Sequence, residues 1–181
     1  MTPLMTAPLP FHDPRPLLAV LDNGVLWWGL AACGMAQLSK LLIELVVHRR
    51  WNPKVLVETG GMPSSHSALM TGTAAGLGWQ LGYADALFAL AATLCFVVLY
   101  DASGVRRAAG LTAERVNGLV SDAGGLVAGE TPKKALKQNL GHTRLEVLVG
   151  SLIGPLVALP GLALVGSPLQ LAQHWGLVGL G

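Results

Sequence analysis

The apolar residues of this chain fall in blocks about as long as a bilayer is thick, and no other feature constrains the fold so strongly. A hydrocarbon core of roughly 30 Å takes about 20 helical residues to cross. Blocks of that order run at about Val25–Val47, Ser64–Tyr83, Ala86–Tyr100 and Thr143–Val165. Lipid offers no partner to a backbone N–H or C=O, so such blocks must be helical. The expected fold is therefore all-α, a polytopic membrane helix bundle with about four transmembrane helices and a cytoplasmic-facing polar site. Charged residues make up 12% of the chain, about half the fraction usual in soluble domains.

Residues 1–22 read as a loose, proline-rich lead-in without the basic start and apolar run of a signal peptide. Residues 23–165 form the helical domain. Residues 166–181 are an apolar tail, broken by Pro168 and several glycines, that either lies along the interface or forms a fifth, partial span. Trp27 and Trp28 open the first block as interfacial anchors, and His48, Arg49 and Arg50 close it. Ala68, Gly72 and Gly76 recur every four residues, giving the second block a small-residue face for close helix packing. Pro155 and Pro160 lie inside the fourth block, where neighbouring helices can satisfy the freed carbonyls.

Asp101 to Gly141 is the most polar stretch. It carries Arg106, Arg107, Arg115, Lys133, Lys134 and Lys137, and a glycine-rich piece at Gly124-Gly125. Within it, about Ser103 to Val120 reads as an amphipathic interfacial helix. Cys33 and Cys95 sit inside apolar blocks as small packing residues, with no disulfide or metal-ligand spacing. The net charge of +2 gives no indication of nucleic-acid binding.

The loops after the first and third blocks are basic, whereas the turn around Gly82 to Asp85 has no Lys or Arg. The positive-inside rule then puts both basic loops in the cytoplasm and both termini outside. On that path the end of the first helix, the start of the second, the end of the third and the start of the fourth share one membrane face.

The residues able to carry chemistry lie at those four ends. Gly61, Pro63, Ser64, Ser65 and His66 open the second helix, where free N–H groups and the positive dipole end suit an anion. An ordinary helix cap on Ser64 accounts for the same residues. His142 and Glu146 are four apart, a spacing that lets a carboxylate fix an imidazole tautomer. Thr143 and Glu146 equally fit a capping box. Lys40 lies within the first helix. An intramembrane charge usually faces the bundle interior, unless it snorkels to the interface. Arg106 and Arg107 follow the third helix, as anchors or as phosphate ligands. Asp101, at an unfavourable helix C-terminus, is placed to pair with one of them.

Four strings carry a family resemblance: Ala36-Gln37-Leu38-Ser39-Lys40, Gly60-Gly61-Met62-Pro63-Ser64-Ser65-His66-Ser67, Tyr100-Asp101-Ala102-Ser103-Gly104-Val105-Arg106-Arg107-Ala108-Ala109-Gly110, and Gly141-His142-Thr143-Arg144-Leu145-Glu146-Val147. Together they resemble the divergent branch of the type 2 phosphatidic acid phosphatase superfamily, which is related to acid phosphatases and vanadium haloperoxidases. The resemblance covers roughly Gln37 to Pro155. It implies that His142 is the nucleophile that takes the phosphoryl group, Glu146 orients it, and His66 protonates the leaving oxygen. Lys40 and the backbone around Ser64-Ser65 would hold phosphate oxygens, with no metal or other cofactor.

The chain departs from the superfamily pattern at three places. Ser65 stands where the second motif has Gly. Ala135 and Leu136 stand where the third motif has Ser-Arg. The Arg-Pro of the first motif is spread over Arg49, Arg50 and Pro53. Arg106 or Arg107 is the expected substitute for the absent arginine. The expected function is hydrolysis of a lipid phosphate or diphosphate through a phosphohistidine, in a bacterial-type inner membrane with the active face cytoplasmic. The expected partners are that substrate and membrane lipids, with a homo-oligomer permitted by the small-residue face. The alternatives are a non-catalytic phosphate- or anionic-lipid-binding protein, or a transporter or assembly partner.

Overall fold

The computed structural model describes residues 16–56, 60–124, 135–138 and 140–177. Lys133, Lys134, Gly125 and residues 1–15 of the lead-in lie outside the described residues. The described residues contain helices and no strand. The helices are α1 (Pro16–Asp22), α2 (Gly24–Val46), α3 (Ser65–Leu81), α4 (Ala86–Tyr100), α5 (Arg106–Gly124), α6 (Arg144–Leu164) and α7 (Pro168–His174). A short 3₁₀ turn, Pro53–Leu56, follows α2, and a π-turn, Asp101–Val105, joins α4 to α5.

Several apolar blocks begin at a capping side chain. Asn23 accepts from Leu26 N–H at 3.0 Å and Asp85 from Leu87 N–H at 2.7 Å. Ser64 caps α3, and both α6 and α7 start with capping boxes, Thr143–Glu146 and Ser167–Gln170. Each cap satisfies N–H groups that a helix start otherwise leaves unpaired.

Three stretches, Gly24–Val46, Ala86–Leu119 and Arg144–His174, are long and apolar enough to cross a membrane. The 17-residue α3 falls short of them, at about 25 Å for 1.5 Å per residue. It is nonetheless the central helix, packed against α2, α4 and α6. The expected helical membrane bundle is thus present, with α3 at its middle.

Small residues make that packing close. A Cβ added to Gly154 would lie 2.0 Å from Thr71 Oγ1 and 2.5 Å from both Ala68 O and Gly72 N. One on Gly150 would lie 2.3 Å from Ser64 O. The buried core is Ala32, Ala36 and Ala68, with Ile153 and Val157 against it. Large apolar side chains such as Leu42, Phe96, Leu156 and Leu164 point outward. This pattern suits a solvent of hydrocarbon, where leucine gains little by burial and backbone approach drives association.

Two boundaries differ from expectation. Pro16–Asp22, in the stretch read as a loose lead-in, is a helix packed against α7. It is held there because Asp22 Oδ1 accepts from the Ser167 hydroxyl at 2.6 Å. The amphipathic helix begins at Arg106 rather than Ser103, because α4 runs through the π-turn with no breaker to stop it. At this far end of the bundle, Trp28 Nε1–H donates to Gly166 O at 2.8 Å. The seven-residue α7 that follows is too short to cross a bilayer.

The packing predicts opposite effects at two glycines. Gly154→Ala overpacks the α3–α6 contact and destabilises the fold by about 1–3 kcal/mol. Gly34→Ala, where the added Cβ meets nothing within 4 Å, leaves stability unchanged or slightly raised. Thermal unfolding of the two variants in detergent measures the difference.

Candidate functional site

Four elements converge where α2 ends, α3 begins, α4 ends and α6 begins. A cavity of roughly 190 Å³ opens there, lined by Gly60, His66, Asp101, Arg106 and His142 together with Val97, Val98, Ala102, Leu140 and Gly141. Beside it, Phe96, Val97, Tyr100 and Val105 border an open apolar groove that shares Val97 and Asp101 with the cavity.

Glu146 joins the segments. Its carbonyl accepts Ser64 N–H at 3.0 Å, tying α6 to the start of α3. Its carboxylate oxygen Oε2 accepts Thr143 N–H at 3.0 Å and lies 3.2 Å from His142 Nδ1. The capping box and the histidine contact therefore coexist on one carboxylate oxygen. The helix starts at Arg144, so His142 is not yet helical, but the chain still brings its ring to Glu146. The pairing makes Nδ1 the protonated nitrogen of the neutral ring and leaves Nε2 with a free lone pair.

His142 is 6% exposed. Burial holds its imidazole below the ordinary histidine range, opposed by the hydrogen bond and charge of Glu146 and aided by the nearby Lys40 and His66. The ring is thus neutral at neutral pH. His66, on the first turn of α3, is exposed at the mouth and feels the charges of Arg106 and Lys40.

Lys40 is 3% exposed, and no described residue gives it a hydrogen bond or ion pair. Its position on α2 brings its charge to bear on Glu146, His66 and His142. Among the described residues no cluster of three or more His, Cys, Asp or Glu suited to a metal is found.

The remaining residues divide. Asp101 pairs with Arg106 Nε–H, and both line the cavity, whereas Arg107 is exposed and does not. Ser64 is a structural cap: its hydroxyl oxygen accepts Ser67 N–H at 3.3 Å and the Ser67 hydroxyl at 2.8 Å. With Ser64 N–H taken by Glu146, the N–H groups of Ser65 and His66 are the first-turn donors left for an anion. Gly61 is exposed at φ 77° and outside the cavity lining; its neighbour Gly60 lines it. The resemblance did not point to Ala102, Leu140 or the valines of α4, because lining by a backbone or an aliphatic side chain leaves no chemical signature.

The family described as the Divergent PAP2 family matches residues 21–157. A membrane protein of Bacillus subtilis (strain 168), the uncharacterized YuiD, is 39% identical over 151 residues, covering 78% of this chain and 96% of that protein. No solved structure matches the chain.

The charge balance around His142 gives a signed prediction. Glu146 is the group that raises the imidazole's proton affinity, so Glu146→Gln moves its titration midpoint still lower. NMR titration of isotope-labelled histidine reads this, and an unchanged or raised midpoint contradicts the pairing.

Proposed function

Because the chain belongs to the divergent PAP2 family, we propose that this integral membrane protein is a phosphatase acting on a lipid phosphate or diphosphate at the cytoplasmic face. The observation that carries the reading is a cavity lined by His66, His142 and Arg106, with the buried Lys40, hydrogen-bonded to no described residue, close enough for its charge to act on both histidines. An ammonium in a bundle interior without a direct ion pair is expensive. A bound phosphate supplies the missing charge, which favours that class of ligand over a neutral one.

In this mechanism Lys40, Arg106 and the Ser65 and His66 N–H groups hold the phosphate oxygens. Asp101 binds Nε of Arg106, which orients the guanidinium and leaves its other donors for phosphate. Nε2 of His142 attacks phosphorus, and the bond from phosphorus to the leaving oxygen breaks. His66, protonated once the bound phosphate offsets the charges of Arg106 and Lys40, delivers a proton to that oxygen. Water then attacks the phosphohistidine, His66 takes a proton from it, and orthophosphate leaves. Glu146 stabilises the positive charge that develops on the His142 ring. The apolar groove beside Val97 and Asp101 takes the hydrocarbon chain, so that head group and chain occupy adjoining compartments.

The second reading is a non-catalytic phosphate- or anionic-lipid-binding protein. One observation favours it: Ala135 and Leu136, where the superfamily has Ser-Arg, are both exposed, so that position supplies no phosphate clamp.

Purified protein is expected to release orthophosphate from at least one member of a panel of lipid phosphates and diphosphates. His142→Ala abolishes the release, and His66→Ala lowers kcat by about 10²–10⁴-fold, the usual worth of a general acid. Because attack needs neutral His142, the acid limb of kcat/KM falls below the ordinary histidine range. Absence of hydrolysis across the panel, or wild-type rates in both variants, rejects the phosphatase and leaves the binding reading.

A further inference from the structure

The helix that leaves α4 is not α-helical throughout. At Asp101–Val105 it widens to a π-turn, and Arg106 N–H donates to Asp101 O, five residues back. In an α-helix that N–H would bond Ala102 O, four residues back. The Ala102 carbonyl is instead taken by His142 N–H at 2.9 Å. The one-residue shift thus provides the backbone acceptor that holds the proposed nucleophile.

The same shift sets the register of α5 against residues 135–142. Gly141, at φ 79°, lies on the first turn of α5, where an added Cβ would stand 2.3 Å from Arg107 N. One turn on, a Cβ on Gly110 would stand 2.7 Å from both Gln138 O and Leu140 O. Two turns further, Asn117 brackets Leu136, donating Nδ2–H to its carbonyl at 2.8 Å and accepting its N–H at 2.9 Å. Backbone therefore meets backbone at two glycines, with an amide clamp beyond them. The helices α2, α3, α4 and α6 pack on one another, while α5 packs on the π-turn, so this contact is not needed to build the bundle.

We propose that the π-turn is the positioning element of the site: it frees Ala102 O for His142 and fixes α5 so that Gly110, Gly141 and Asn117 lock the His142 segment in place. Ala102, Gly110, Gly141 and Asn117 are positioning residues, acting through His142 rather than on substrate. The inference rests on the assignment of His142 as nucleophile, but its first readout needs no substrate.

Deletion tests it. Removing Gly104, whose Cβ position has open space on all sides but Tyr100, returns the π-turn to an α-turn, in which Arg107 N–H, then four residues on, takes the Ala102 carbonyl away from His142. Removing Gly118, also in open space and beyond Asn117, leaves the register from Asp101 to Asn117 intact. In the Gly104 deletion, His142 loses its backbone anchor and with it its burial, and its NMR titration midpoint rises. In the Gly118 deletion it stays at the wild-type value. Asn117→Ala, which leaves the π-turn untouched, gives a smaller rise and decides the matter if the Gly104 deletion does not fold. Where a lipid phosphate is hydrolysed, the Gly104 deletion lowers kcat about a hundredfold and the Gly118 deletion does not. A wild-type midpoint in both the Gly104 deletion and Asn117→Ala overturns the proposal, whatever the protein hydrolyses. So does an equal rise in the two deletions.

Discussion

Glu146 is the residue on which the arrangement of the site depends. Through its carbonyl it holds the start of α3, and through one carboxylate oxygen it holds both the cap of α6 and the ring of His142. The bond from Ser64 N–H is possible because α6 approaches α3 without side chains between them, at Gly150 and Gly154. The small-residue contact that stabilises the bundle therefore also sets the relation between the two motifs that carry histidines. A half-buried carboxylate with two donors on one oxygen is held in place, which favours a rigid site over an adaptable one.

Charge completes what geometry begins. Lys40 sits deep in α2 with no direct ion pair among the described residues, within reach of the charge of Glu146, and Arg106 lines the cavity from the end of the π-turn. In a medium that screens poorly, two cations whose charges both act on His66 favour an anionic ligand beside it. Burial keeps His142 neutral despite Glu146 beside it. The cations and the neutral imidazole are what the proposed attack on phosphorus would use.

Much of this was legible in the sequence. The block lengths give the membrane bundle, the cap residues give the start of α6, and the four-residue spacing of His142 and Glu146 gives their contact. Lys40 inside an apolar block points inward for the reason that lipid is a poor solvent for charge. The rest was hidden because it depends on register. Arg106 and Arg107 are adjacent in sequence but about 100° apart on a helix, and only the π-turn decides which of them lines the cavity. No residue propensity announces a π-turn, and no side-chain pattern announces a free carbonyl such as Ala102 O. The order in Pro16–Asp22 comes from a bond to Ser167, 145 residues away, which no local reading detects. Ser64 reads equally as a cap and as a phosphate ligand until its N–H is seen bonded to Glu146.

The role given to His142 is the point at which the account is most exposed. The direct measurement is to mix the protein with lipid phosphate labelled in its phosphoryl group, quench under alkaline conditions, and locate any bound label by peptide mass spectrometry. The account predicts label on His142 in the wild type and none in His142→Ala. Label that persists in His142→Ala, or a wild type that takes up no label from any lipid phosphate or diphosphate, would contradict it.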